Sequence, residues 1–367
     1  MSKISPAERP RLLFVYQEPT SFVRDDLGLL RERYDVRPFA FGVRAAGGKG
    51  ARAVALARGA AAQAAWLRRE LPSADLVFGW FADYHLALPA RAARRAGVPL
   101  AVALGGFDCM DLPQLDYGVF RTWRAPLARF VLRNASVLLP VHDSLLETHN
   151  LFLDRAQAQG VRVHVPGLAT PAVEVPTGYD PAAWPLGPAE RAPGVLSVGL
   201  IDSHRTFLRK GLDLLVEVAR RLPAVPFEVV GLKMGEAEVQ RYRPPANVAF
   251  RPPLPREALP EVYGRASVYL QLSRAEGMPN VLCEAMLCGC VPVGSSAFGI
   301  PAAIGDAGYV VEAPDPAAIA DVVREALAAG PAAREAARAH VAARFSRQRR
   351  RERLFGLLDG LLAARRP

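Results

Sequence analysis

Two glutamates eight positions apart in an apolar stretch are the residues best placed to do chemistry in this chain of 367 amino acids. The stretch RAEGMPNVLCEAMLCGCVPVG runs from Arg274 to Gly294, with Glu276 in a Gly/Pro-punctuated turn and Glu284 beyond it. Pro279 has its φ preset for a first helical turn and lacks the N–H that such a position leaves unpaired, so a helix is expected from Pro279 to Gly289. Val281, Leu282, Cys283, Ala285, Met286, Leu287 and Cys288 leave it no polar face, so it should be buried all round with Glu284 one turn inside. A buried carboxylate is costly without donors. Either a backbone amide or an arginine satisfies Glu284 within the core, or a ligand does. For a ligand, the helix start formed by Gly277, Met278, Pro279, Asn280 and Val281 offers backbone N–H groups and a positive dipole end to an anion. With Glu276 beside it and Glu284 behind it, the site suits a phosphate flanked by hydroxyls.

A second cluster is basic. Only four of the 46 basic residues are lysines, and Lys210 stands next to Arg209 and Gly211, with His204 and Arg205 just before. Read as the opening of a helix over KGLDLLVEVARRL, this cluster is locally unfavourable unless it shares an anion, because helix N-termini favour acidic residues. The two readings are a solvated basic loop and a diphosphate clamp facing the Glu276 motif across a sheet edge.

The elements that must position these groups alternate between strand and helix. RLLFVYQ, DVRPFAFG, ADLVFGWF, VPLAVALGG and ASVLLPV read as strands of a first unit. Between them come the helices VRDDLGLLRERY, an alanine-rich one after the basic loop Arg44 to Ala51, YHLALPARAARRAG and one around Phe120 to Arg133; another is expected from Ser144. Six prolines between Gly167 and Pro193 mark the linker. A second set follows, with VLSVGLI, FEVVG, NVAFRP, SVYLQLS, CVPVGSS and YVVEAP as strands and KGLDLLVEVARRL, EALPEVYGRA and PAAIADVVREALAAG as helices. Such alternation implies an α/β fold with parallel sheets covered on both faces, and ligands bind beyond the carboxyl ends of the strands. In the first unit those ends carry Glu18, Thr20 and Ser21, then Trp80, Asp83 and His85, then Gly105, Gly106, Phe107 and Asp108. Gly106, Asp108 and His85 are the candidates for an acceptor side. The domains are expected at 1–185 and 186–345, with the C-terminal amphipathic helix 346–367 packing back on the first.

Composition bounds the function. A hydrophobic content of 51% supports a large core and a length of 367 residues suggests two domains. Cys109, Cys283, Cys288 and Cys290 form no disulfide framework and are expected as reduced core residues, as in a cytoplasmic protein. Cys288-x-Cys290 lacks the spacing of a zinc site, so no metal is expected. The N-terminus has no apolar run long enough for a leader or a membrane span. The net charge of +10 is spread, with 22 basic and 17 acidic residues in 1–180 and 24 and 19 in the rest. That balance suits anionic substrates or an anionic membrane surface and argues against a nucleic-acid-binding protein. The arginine- and aromatic-rich segment VFRTWRAPLARFVLR is the membrane candidate, for a protein peripheral to the inner face, with core packing as the alternative.

The segment RAEGMPNVLCEAMLCGCVPV resembles the E-x7-E motif of retaining glycosyltransferases of family 4, which have the GT-B fold of two doubly wound Rossmann-like domains around a cleft. VGLI with RKGLDLLVEVARRL, PTGYD, and FGIPAAIGDAGYVVEAPD are similar to further segments of that family in the same order. The resemblance implies sugar transfer from a nucleotide-diphosphate sugar to an acceptor hydroxyl, in glycan or glycolipid synthesis, on a glycan, lipid-linked or small-molecule acceptor and with neither metal nor other cofactor. It implies that Glu284 binds the ribose, that Glu276 binds the transferred sugar, that Lys210 with Arg205 or Arg209 holds the diphosphate, and that Gly277 to Val281 supply amides. A nucleotide-sugar 2-epimerase or hydrolase on the same fold is the alternative. The chain departs from the family at Gly199-Leu200-Ile201, where Gly-Arg-Leu is common, at Ala302, where a glutamate is common, and after the first strand, where QEPTSFVRDD replaces a Gly-Gly loop.

Overall fold

The computed structural model describes residues 9–42 and 48–365. Arg44 to Gly47, half of the expected basic loop between Arg44 and Ala51, therefore lie outside the described residues. Two parallel sheets organise the chain. The first contains β1 (Arg11–Tyr16), β2 (Asp35–Ala40), β3 (Leu76–Trp80), β4 (Leu100–Leu104) and β5 (Val137–Pro140) in the order β2-β1-β3-β4-β5. A short antiparallel hairpin, β6 (Thr148–Asn150) and β7 (Asp154–Gln159), follows. The second sheet contains β8 (Val195–Ile201), β9 (Phe227–Leu232), β10 (Val248–Arg251), β11 (Val268–Gln271), β12 (Val291–Ser295) and β13 (Tyr309–Val311), in the order β10-β9-β8-β11-β12-β13. The central strands read as unbroken apolar runs, such as LVFGW, LAVAL and VLLP, because helices cover both faces and no residue on them meets water. The strands at one edge of each sheet, β2 and β10, are half exposed, and β2 tolerates Pro38 for that reason.

Strand order reverses once in each sheet, between β1 and β3 and between β8 and β11. At such a point the neighbouring loops leave in opposite directions and open a crevice at the carboxyl edge. The loop after β8 leads to Lys210 and the loop after β11 holds Glu276, so the second crevice brings together the two clusters singled out by composition.

Two local expectations are corrected. The segment after Ser144 is not a helix but the β6–β7 hairpin. Its pairing is fixed from outside, since the Gln159 side-chain amide exchanges hydrogen bonds of 2.9 Å with Asp111 N and O, and Asn150 Nδ2 donates to Arg274 O at 2.7 Å. Lys210 does not open a helix; it ends a short one, His204–Arg209, capped by Ser203, and Gly211 at φ +69° turns the chain into the helix Leu212–Arg221. The aromatic segment proposed for a membrane is divided: Phe120 lies in the core and Ala125, Ala128, Val131 and Leu132 form the buried face of the helix Ala125–Asn134, while Trp123 is exposed. Among the described residues no helix is long and apolar enough to cross a membrane.

The last helix, Arg347–Arg365, lies on elements of the first sheet through buried Leu354, Phe355 and Leu358 and through Asp359, which pairs with Arg33 and Tyr34. All four cysteines are free and buried.

Candidate functional site

The helix after β11 spans Asn280–Leu287, slightly shorter than its sequence predicts, and Leu282 to Leu287 are all buried. Before it, the chain crosses the crevice as Leu272 to Pro279. Arg274 fixes this crossing. Its two terminal nitrogens donate to the two oxygens of Asp213 at 2.7 and 2.8 Å, and one also donates to Leu208 O, while its backbone N–H donates to Arg209 O at 2.8 Å. The two loops of the crevice are thereby held as one unit. Gly211 is required at this junction because a Cβ there would meet Leu272 O at 2.0 Å.

Glu276 sits at the centre. Its carboxylate accepts from Lys210 Nζ, from Ser273 Oγ at 3.1 Å and from Gln271 Nε2 at 3.3 Å, with Arg209 Nη1 at 4.0 Å. Burial opposes its charge, but Lys210 and Arg209 outweigh burial and hold the group below the ordinary carboxylate range. Arg209 also lies over the Tyr117 ring of the first domain at 4.9 Å. Glu284, one turn into the helix and 4% exposed, is far less well satisfied. Tyr263 OH donates to it at 3.4 Å and Arg256 Nη2 at 3.5 Å, both at the limit of a hydrogen bond. Burial therefore dominates, with Asp25 adding to it, and raises the group to about 7. Arg256 also pairs with Asp25 of the first domain at 3.3 Å and lies over Trp184 at 5.4 Å.

At Gly277 the backbones of the two domains approach closely. A Cβ on it would meet Gly105 O at 2.2 Å, and a Cβ on Gly106, at φ +131°, would meet Gly277 N at 3.2 Å. Met278 is buried, and Asn280 Oδ1 accepts from Tyr179 OH at 2.6 Å. In the first turn of an α-helix the N–H groups have no partner within the helix, so those of Asn280 and Val281 are left unengaged by it.

The structure thus brings together Glu276, Lys210, Arg209, Gly277 to Val281, Glu284 and Gly106. It does not bring Arg205 there: that side chain leaves the short helix toward Asp116 of the first domain, 3.0 Å away and exposed. Two of the acceptor-side candidates are likewise occupied. Asp108, fully buried, accepts from the N–H groups of Ala82, Gly105 and Gly106 at 3.0, 3.1 and 2.9 Å, and so shapes the glycine loop instead of facing the cleft. His85 is also fully buried. Its Nε2–H donates to Trp80 O at 2.9 Å, its Nδ1 accepts from Gln17 Nε2 at 3.0 Å, and burial lowers it to about 4, so it is a neutral packing residue. The sequence reading missed Arg274, Arg256, Tyr263, Ser273 and Gln271. Gln271 and Ser273 were visible as polar residues ending an apolar strand; the others act through tertiary contacts that no local pattern announces. Among the described residues no three His, Cys, Asp or Glu side chains gather as a metal site.

Residues 198–342 match the family of group 1 glycosyl transferases. The D-inositol 3-phosphate glycosyltransferase of Mycolicibacterium smegmatis is 32% identical over 148 residues, which cover 37% of this chain and 34% of that one. The enzyme of the same description from Geodermatophilus obscurus is 34% identical over 198 residues, covering 49% and 41%. The chain thus spans between about a third and two fifths of the length of these curated relatives. Among solved structures, sucrose-phosphate synthase from Thermosynechococcus elongatus superposes with a TM-score of 0.73 at 18% identity, covering 97% of this chain and all of that one. Anabaena HepE in complex with UDP and glucose superposes with a TM-score of 0.69 at 16% identity, covering 96% and 100%. The structural matches establish the GT-B fold expected from the sequence, and on that fold residues 198–342 are similar to the group 1 glycosyl transferases.

Proposed function

We propose that the protein transfers a sugar from a nucleotide-diphosphate sugar to an acceptor hydroxyl, with retention of configuration and without a metal. One observation carries the reading. A Lys210–Glu276 pair sits at the chain-reversal crevice, beside a helix start, with an under-satisfied carboxylate one turn further on. Lys210, Arg209 and the helix start supply positive potential where a diphosphate would leave, and charge oriented in advance in this way does most to stabilise a developing anion. Glu276 is positioned for sugar hydroxyls and Glu284 for ribose hydroxyls, which would replace its two long contacts. In the transfer the acceptor oxygen bonds to the anomeric carbon while the bond from that carbon to the phosphate oxygen breaks. The electron pair leaves on the diphosphate, and the acceptor proton passes to it on the same face. UDP-sugars are the first donors to test, since solved relatives of this fold hold UDP and UDP-glucose.

The test is a thermal-shift screen of nucleotide sugars, because a ligand that binds only the folded state raises its stability by mass action. It is followed by kinetics with the donor found. Glu284→Ala should weaken nucleotide binding and Lys210→Ala should chiefly lower kcat. If both variants keep wild-type kinetics, the assignment fails. Conversion of the donor with no acceptor present would instead reveal an epimerase or hydrolase.

A further inference from the structure

The loops that follow β3 and β4 of the first sheet are lined differently from the crevice of the second. Trp123 is 66% exposed, whereas Trp66, Trp80 and Trp184, the other three tryptophans, are buried. Its ring lies 6.2 Å from that of Tyr84, inclined by 33°. From this pair a row of flat groups runs inward. Arg124 lies over Tyr84 at 5.7 Å and over Phe107 at 4.9 Å; Phe107 meets Tyr117 edge-on at 5.3 Å; and Arg209, over Tyr117 at 4.9 Å, reaches Glu276. The row therefore connects an exposed aromatic at the outer rim with the carboxylate at the proposed transfer centre.

We propose that this row is an acceptor track for a saccharide of two or more sugar units, with Trp123 and Tyr84 as its outer stacking platform. The inference rests on the transferase reading for the role of the inner end, but not for the binding itself. Aromatic rings present apolar faces that match the C–H faces of sugar rings, and a polar rim then selects hydroxyls. The rim is present as the exposed Glu18 on the loop after β1, while buried Asp83 fixes Arg124 beneath it, accepting from Arg124 Nη1 at 2.6 Å and from Gln17 Nε2 at 3.3 Å. Charge decides against a lipid surface. Arg124 is paired with Asp83, and Arg121 is paired with Asp111 at 3.1 Å and close to Asp116 at 3.8 Å, so the bases flanking Trp123 are already neutralised. An anionic membrane needs free cations beside the aromatic.

Trp123 is also the natural probe, since its emission alone among the tryptophans meets solvent. The full-length protein, with no donor added, is titrated with neutral gluco-, manno- and galacto-oligosaccharides and the corresponding monosaccharides while tryptophan emission is read. At least one oligosaccharide series should give a saturable change, with its monosaccharide weaker. Calorimetry on the same series should show Trp123→Ala and Tyr84→Ala weakening binding roughly three- to tenfold, the worth of an aromatic contact, with Trp123→Phe recovering most of it. In transfer assays Trp123→Ala should raise KM for the oligosaccharide more than it lowers kcat. The proposal is overturned if no series perturbs the emission, if Trp123→Ala binds saccharide as the wild type does, or if phosphatidylglycerol vesicles shift the emission and saccharides do not. Because the titration needs no donor, absence of nucleotide-sugar binding defeats the transferase reading and leaves the platform standing, and the reverse result separates them equally well.

Discussion

Glu276 and Glu284 belong to one motif, yet their neighbours send them in opposite directions. Glu276, with Lys210 and Arg209, is held below its ordinary range, so the stability it contributes is present above the ordinary carboxylate value and is lost as pH falls through its lowered value. Glu284, raised from 4.5 to about 7, behaves inversely: the ligand-free fold favours its neutral acid and becomes less stable as pH climbs between those two values. A ribose whose hydroxyls donate to Glu284 needs the ionised form, so donor binding should expel a proton when the pH is at or below about 7. Nucleotide affinity is then expected to fall by about tenfold per pH unit below that point and to level off above it. Calorimetry in buffers of differing ionisation enthalpy measures the proton released, and Glu284→Gln should abolish the release. A pH-independent affinity in the wild type would remove Glu284 from the ribose site. Arg205 gives the contrasting case, since an exposed pair such as Arg205–Asp116 contributes little to stability.

At the scale of elements, the crevice works because two glycine loops meet across it. The three nearest atoms that a side chain at Gly277 would meet, Gly105 O at 2.2 Å, Gly105 C at 2.9 Å and Val141 Cγ2 at 3.1 Å, all belong to the other domain. Gly277→Ala should therefore leave the protein folded and nucleotide binding weakened only modestly, while turnover falls by about tenfold or more because the domains no longer approach. Small-angle scattering with donor present should report a larger radius than the wild type, and an unchanged radius with unchanged turnover would show that this approach is not part of the reaction. The alternation that creates the crevice was legible in the sequence, since central strands such as Leu76–Phe78 and Val268–Leu270 are apolar runs between helical periods. The pair Glu276 and Glu284 was legible as a burial problem. The β6–β7 hairpin was not, because Gln159 and Asn150 set its register by bonding to Asp111 and Arg274, which are distant in sequence. Nor was the turn at Lys210, where the short helix His204–Arg209 places Arg209 and Lys210 at a helix end that suits them.

Across the whole molecule, the chain's end is tied to its beginning at one buried point. Arg350, on the last helix, donates from Nε and Nη2 to the two oxygens of Asp26 at 2.6 Å each, and from Nη1 to Val175 O and Pro176 O at 2.8 and 2.7 Å. Trp80 Nε1 completes the set by donating to Asp26 at 2.9 Å. This one guanidinium therefore joins the first helix, the linker and the last helix. Asp25, adjacent to Asp26, is the residue that reaches Arg256 beside Glu284, so the tie also anchors the segment that the first domain presents to the nucleotide side of the cleft. Arg350→Met keeps the stem that packs there but strands Asp26 with Trp80 alone, and removing one partner of a buried pair costs about 3–5 kcal/mol. Denaturant unfolding should show a loss of that size, and Asp26→Asn with Arg350→Met together should cost less than the sum of the two, because each single change leaves the other group unpaired. A loss in Arg350→Met within about 1 kcal/mol would place the pair with ordinary surface bridges and leave the apolar contacts of Leu354, Phe355 and Leu358 as what holds the last helix on the first domain.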